Sequence, residues 1–151
     1  MNDDRGSQSP KSHRILVVDD YPDCAEAVCI LLSRLGHVCE TVCTGHAAIA
    51  ALGQFDAEIA LVDLGLPDLT GFEVARALRA RSPGLYLAAF TGWTSPRFLI
   101  EADAAGFDQF VVKPVNAAKL GAVVRRAAEV LRTRPGARTG LEQTCGLPPY
   151  V

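Results

Sequence analysis

The sequence predicts one α/β domain: a doubly wound five-stranded parallel sheet in the order 2-1-3-4-5, with five helices on its two faces. Three observations predict it. Short β-branched or apolar runs recur, starting about 23 residues apart; helical apolar periods separate them; and the innermost runs are apolar without interruption. Strict alternation of strand and helix requires parallel neighbours, because parallel pairing needs a crossover connection. Strands covered on both faces lose the polar alternation of a half-buried strand, as in Ile15-Leu16-Val17-Val18 and Ile59-Ala60-Leu61-Val62.

Taken in order, the first strand is Ile15 to Val18, and Ala25, Val28, Cys29 and Leu32 fall on one stripe of the helix after it. The second strand is Val38 to Val42, followed by a weaker helical pattern from Ala47 to Leu52. The third is Ile59 to Val62, with Val74, Ala75 and Leu78 as the buried stripe of its helix. Leu85 to Phe90 is the fourth, with a second weak helix over Phe98 to Ala105. Phe110 to Val112 is the fifth, and Ala117, Leu120, Val124, Ala127 and Leu131 mark the last helix. The domain is placed at residues 13–132. Met1 to Ser12 is polar and charged and is expected to be flexible; residues 133–151 carry Pro135, Gly136, Gly140, Gly146, Pro148 and Pro149 with no apolar period, a Pro/Gly-rich tail that either extends flexibly or docks on the domain.

A chain of 151 residues with 49% hydrophobic and 21% charged residues has room for one core and excludes disordered, collagenous and coiled-coil classes. Its 15 basic and 17 acidic residues give a net charge of −2, which makes no global case for nucleic acid or a membrane surface. The distribution is uneven: residues 1–112 hold 8 basic and 15 acidic residues, residues 113–151 hold 7 and 2. The arginines 125, 126, 132, 134 and 138 read as a solvated helix end complementing the dipole. No apolar run has the roughly 18 residues of a membrane span, and Met1 to Pro10 lacks a signal peptide's segments, so a cytoplasmic protein is expected. Five cysteines (24, 29, 39, 43 and 145) are an odd number in an ordinary-sized domain and read as reduced thiols. His37, Cys39, Cys43 and His46 lack a zinc hairpin spacing, so core packing is the better reading of them.

The chemistry sits where the strands end. The first ends in Asp19-Asp20, the third in Asp63, the fourth in Thr91 and the fifth in Lys113-Pro114. Sites in open parallel sheets form at the carboxyl ends of the strands, where strand order reverses. In the order 2-1-3-4-5 that crevice lies between strands 1 and 3, which gathers Asp19, Asp20 and Asp63. Each pair of like charges at about 4 Å costs roughly 4 kcal/mol at an effective dielectric near 20, so a cation should compensate. A few hard oxygen ligands beside an open crevice suit Mg²⁺. Lys113 adds a mobile positive charge, Thr91 a hydroxyl, and the backbone around Gly65 and Gly92 admits close approach of a ligand. A metal, a lysine and a hydroxyl around one carboxylate describe phosphoryl transfer to that carboxylate.

The segments ILVVDD with Asp19-Asp20, LVDLGLPDLTG from Leu61 to Gly71, FTG at Phe90 to Gly92 and FVVKP at Phe110 to Pro114 are individually weak. Together and in order, each at a strand end, they make residues 13–132 resemble a receiver domain of the bacterial two-component response-regulator family, of the single-domain, chemotaxis-regulator-like kind with its flavodoxin-like receiver fold. The resemblance implies that Asp63 is the phosphoacceptor and that Asp20, Asp63 and the Gly65 carbonyl ligate Mg²⁺, with Asp19 acting largely through water. It implies that Lys113 pairs with the phosphoryl group, that Thr91 and Phe110 form the switch, and that the Lys113-Pro114 bond is cis. The altered surface would be built from helix 4, strand 5 and helix 5. The implied partners are a histidine kinase or histidine phosphotransfer protein and a downstream protein target, with no direct nucleic-acid binding.

Taken singly, Asp19-Asp20 reads equally well as a helix cap before Tyr21-Pro22, Thr91 as a turn hydroxyl and Phe110 as core. The expected function is a stand-alone receiver that is not a turnover enzyme. A haloacid-dehalogenase-like small phosphatase would need D-x-D where this chain has adjacent aspartates. A flavodoxin-like cofactor site would need an uncharged phosphate loop where Asp19-Asp20-Tyr21-Pro22-Asp23 repels anions. A phosphate-sink or docking receiver without its own output is the remaining alternative. Trp93, two positions after Thr91, is bulky, and Gly65 has no side chain with which to orient water. Together they are expected to slow hydrolysis of phosphorylated Asp63, so Trp93→Ala should shorten the phosphoprotein's lifetime several-fold, measured as loss of the phosphoryl mass increment with time.

Overall fold

Five apolar runs become five strands: β1 (Arg14–Val18), β2 (Val38–Val42), β3 (Ile59–Asp63), β4 (Tyr86–Thr91) and β5 (Gln109–Val112). In this computed structural model, which describes residues 11–92 and 96–134 and only the backbone at 98 and 99, they pair in parallel in the order β2-β1-β3-β4-β5. Between and after them run α1 (Pro22–Arg34), α2 (Gly45–Phe55), α3 (Gly71–Arg81), α4 (Pro96–Ala105) and α5 (Ala117–Thr133). Trp93, Arg138, Cys145 and most of both terminal segments lie outside the described residues.

The strands' period of two splits the apolar residues into two cores. Leu16, Val18, Ala60, Val62, Leu87 and Ala89 face one way and pack with residues of α2, α3 and α4, including Leu52, Phe55, Val74 and Leu78. Ile15, Val17, Ile59, Leu61, Tyr86, Ala88 and Phe90 face the other way, against Ala25, Val28 and Leu32 of α1 and Leu120, Val123, Val124, Ala127 and Leu131 of α5. Each buried aliphatic side chain contributes about 1.5–3 kcal/mol, so the central strands are held from both sides. The two weak helices form because tertiary packing outweighs their faint pattern. Thr44 caps α2 by accepting from the Ala47 N–H at 3.0 Å, and Ala102 and Ala105 of α4 are buried.

Register carries the chemistry to one rim. Val18 pairs with Val62 and with Val42, Asp63 with Phe90, and Thr91 with Val112. Asp19-Asp20, Asp63, Thr91 and Lys113 therefore all emerge at the carboxyl edge of the sheet.

At the opposite rim lies a charge cluster that sequence patterns do not reveal. Arg134 is not a solvated helix end. Its guanidinium meets Asp108 at both carboxylate oxygens (2.5 and 3.0 Å) and donates to the Leu85 carbonyl at 3.1 Å. Arg79 reaches the same carboxylate at 2.9 Å and the carbonyls of Pro83, Leu85 and Gly106 at 2.8, 2.5 and 2.6 Å. The Leu87 N–H also donates to Asp108, at 2.9 Å. One carboxylate thus ties α3, the start of β4, the approach to β5 and the end of α5.

Burial pushes the Asp108 carboxyl pKa upward, but its bonds from Arg134, the Leu87 amide and Arg79 prevail and hold it below its ordinary value. Stability linked to it is therefore full above the ordinary aspartate range and is lost as pH falls through the depressed value. Asp108→Ala, which strands two partly buried guanidiniums, should cost about 2–4 kcal/mol in urea unfolding at pH 7. The deficit relative to wild type should shrink as pH falls below the ordinary aspartate range.

Candidate functional site

Asp19, Asp20 and Asp63 converge at the carboxyl ends of neighbouring β1 and β3, where the strand order reverses. One carboxylate oxygen from each can be chosen so that all three lie within 4.8 Å of one another, the one such acidic group among the described residues. Asp19 is 4% exposed and works twice, taking the Tyr21 N–H at 3.0 Å on Oδ1 and the Lys113 ammonium at 2.8 Å on Oδ2. That bond holds the turn before α1, but no side chain caps the helix itself: the N-cap residue is Tyr21, so Asp19 and Asp20 do not act as the helix cap. Asp63 Oδ2 accepts from Lys113 Nζ at 3.0 Å, and Oδ1 from the Gly65 N–H at 2.9 Å.

Asp20 differs. Its Oδ1 is buried with no hydrogen-bond partner among the described residues. A buried carboxylate oxygen left unpaired costs about 1–3 kcal/mol or more, and neighbouring carboxylates add repulsion. This orphan oxygen faces a cluster whose other acids already share one ammonium, an arrangement that fits a divalent cation. The donors are all oxygens, the preference of Mg²⁺ rather than zinc. The residues of the alternative zinc reading are used elsewhere: His37 Nδ1 accepts from the His13 N–H at 3.1 Å, Cys39 packs against a core, and His46 pairs with Asp68.

Lys113 follows β5, where its N–H donates to the Thr91 carbonyl at 2.8 Å and the Lys113-Pro114 bond is cis. Burial pulls its pKa down, but the bonds to Asp19 and Asp63 win and hold the ammonium above the usual lysine value. It is charged throughout the physiological range. Thr91 is 3% exposed at the end of β4, and Phe110 on β5 is half-buried against the core beneath α3 and α4.

The loop from Asp63 to α3 is built without slack. A Cβ on Gly71 would lie 2.6 Å from both the Asp63 carbonyl oxygen and the Leu64 Cα, so only glycine permits this approach. The Gly71 N–H closes onto the Leu64 carbonyl at 3.1 Å, and Thr70 and Glu73 form a reciprocal capping box at the start of α3. A Cβ on Gly65 would lie 3.8 Å from Asp63 Oδ1, an ordinary contact. Besides Asp108, residue-by-residue reading missed Lys119, whose ammonium donates to the carbonyls of Val112 (2.6 Å) and Pro114 (3.5 Å) on either side of Lys113.

An acidic cluster and a lysine at the carboxyl rim of a five-stranded doubly wound sheet define a receiver-type signalling module. The family model for the response regulator receiver domain matches residues 15–125, and the chain belongs to that family. It is 36% identical over 112 residues to the DNA-binding response regulator MtrA of Mycolicibacterium smegmatis, covering 74% of this chain and 49% of that protein. It is 35% identical over 118 residues to the transcriptional regulatory protein KdpE of Mycobacterium tuberculosis, covering 74% and 51%. The chain spans about half the length of these curated relatives. The chemotaxis protein CheY4 of Vibrio cholerae superposes with a TM-score of 0.74 at 28% identity, covering 78% of this chain and 99% of that one. The protein is thus a receiver domain of the two-component response-regulator type, the class on which a phosphatase or flavodoxin reading gives way. Among the described residues no helix is long and apolar enough to cross a membrane.

The orphan on Asp20 sets an expectation for metal-free protein. Asp20→Asn removes one charge from the cluster and should raise stability by about 1 kcal/mol in urea unfolding. The same change should abolish the rise in Tm expected of wild type on adding Mg²⁺.

Proposed function

We propose that Asp63 accepts a phosphoryl group from a phosphohistidine of a histidine kinase or histidine phosphotransfer protein, in a Mg²⁺-dependent reaction. The observation that carries this reading is the meeting of the three aspartates with Lys113, which bridges Asp19 and Asp63 while Asp20 Oδ1 stays unpartnered.

Asp20, Asp63 and the Gly65 carbonyl would hold the ion, with Asp19 acting largely through water. When bound, Mg²⁺ neutralises charge on the phosphoryl oxygens as they approach the acidic cluster. The chain supplies the rest. The Gly65 N–H holds Asp63 Oδ1, and the carboxylate attacks phosphorus: an O–P bond forms, the P–N bond to the histidine breaks, and the electron pair leaves with the imidazole, which takes up a proton. Lys113 is already charged and close to Asp63, so it can pair with the transferred group without changing its protonation state. Thr91 supplies a hydroxyl to the phosphoryl group, and its movement is coupled to inward rotation of the half-buried Phe110 ring. The surface of α4, β5 and α5 is then the output face, read by a downstream protein. This is signalling by self-phosphorylation and self-dephosphorylation, without turnover of a small substrate. The domain limits are residues 13–132, the setting is cytoplasmic, and direct nucleic-acid binding is not assigned to this domain.

Intact-mass analysis after incubation with Mg²⁺ and acetyl phosphate tests the reading. Wild type should gain one phosphoryl increment, and Asp63→Asn or wild type with excess chelator should gain none. An adduct that persists in Asp63→Asn overturns the assignment.

A further inference from the structure

The loop of residues 64–70, which carries Gly65, is fastened at both ends by backbone bonds: Leu64 N–H to the Phe90 carbonyl at 3.2 Å, and Gly71 N–H to the Leu64 carbonyl at 3.1 Å. Its far side is fastened by one side chain. Asp68 Oδ1 accepts from the Gly45 N–H at 2.8 Å, and Oδ2 accepts from the His46 N–H at 2.9 Å and meets His46 Nδ1 at 2.5 Å. These amides belong to the first turn of α2, which has no intrahelical acceptors for them, so Asp68 caps a helix from another loop. The docking is close. A Cβ on Gly45 would fall 2.7 Å from Val74 Cγ2 and 2.9 Å from Leu69 Cβ, so the helix start rests directly on the loop and on α3.

We infer that Asp68 is a positioning residue for the metal end of the site: by locking the loop to α2 it holds the Gly65 backbone where the cation is to be bound. The inference rests on the proposed function and goes beyond it, since neither the acidic cluster nor Lys113 touches Asp68 among the described contacts. The cation loses one backbone ligand's placement, not a carboxylate, when the tie is cut. The effect therefore falls on metal affinity before it falls on the transfer step.

The test uses the full chain. Hydrogen exchange of metal-free protein should quicken at residues 64–70 in Asp68→Ala and stay at the wild-type rate in β1 and α5. Calorimetric titration with Mg²⁺ should give a Kd raised about tenfold, in keeping with the loss of a supporting shell around a metal. With acetyl phosphate, the Mg²⁺ concentration for half-maximal rate should rise by a similar factor, and the rate at saturating Mg²⁺ should change far less. Asp68→Asn keeps an acceptor for the Gly45 amide and should fall between wild type and alanine. If Asp68→Ala does not fold, Asp68→Asn carries the test. Unchanged loop exchange and unchanged Mg²⁺ affinity in a folded variant overturn the inference, as does a fall in saturated rate at unaltered affinity. Failure of wild type to bind Mg²⁺ overturns the proposed function first, and is told apart by needing no variant.

Discussion

Mutual repulsion among three carboxylates at one rim of the sheet is the constraint around which the molecule is arranged. Asp19, Asp20 and Asp63 each bring a carboxylate oxygen within 4.8 Å of the others. The fold answers with an ammonium delivered from the far end of the chain: Lys113, 94 residues from Asp19 and 50 from Asp63, reaches both acids. The answer is partial by design of the geometry. One ammonium serves two acids, and the third is left with an oxygen that no group among the described residues satisfies. Such local frustration is typical of sites whose missing partner is a ligand.

The sheet makes this arrangement affordable because its rigidity comes from elsewhere. Two cores, one on each face, hold β1, β3 and β4 by apolar burial, beside the hydrogen bonds of the parallel sheet. The opposite rim is closed by Asp108 between Arg79 and Arg134, a fully satisfied charge cluster far from the unsatisfied one. The molecule thus keeps its settled electrostatics at one end and its unsettled electrostatics at the other. Loops at the active rim are pinned by short local devices: the close approach at Gly71, the capping box of Thr70 and Glu73, and the cross-loop cap at Asp68.

A receiver of this shape works by exchanging one electrostatic solution for another. On the proposed function, Lys113 would follow charge from carboxylate to phosphoryl oxygen, since its donors rotate freely and its charge does not titrate near neutrality. Thr91 and Phe110 occupy adjoining strands, with Thr91 opposite Val112 and Ala89 opposite Phe110. A change at the rim is therefore one strand away from the half-buried aromatic ring.

Much of this was legible in the sequence because it depends on periodicity and on strand ends. Uninterrupted runs such as Ile59-Ala60-Leu61-Val62 declare buried parallel strands, and polar residues directly after them declare a rim. The helices over Gly45–Phe55 and Pro96–Ala105 were faint because small residues such as Ala48, Ala51, Ala102 and Ala105 do their packing, and alanine marks a stripe weakly. By itself, the sequence determined the alternating α/β architecture and the polar residues at the strand ends, since these follow from local pattern repeated five times. Only the tertiary structure decided the partners of Asp108, Arg134, Asp68 and Lys119, because a charged side chain carries no period and its bond depends on which distant backbone the fold brings within about 3 Å.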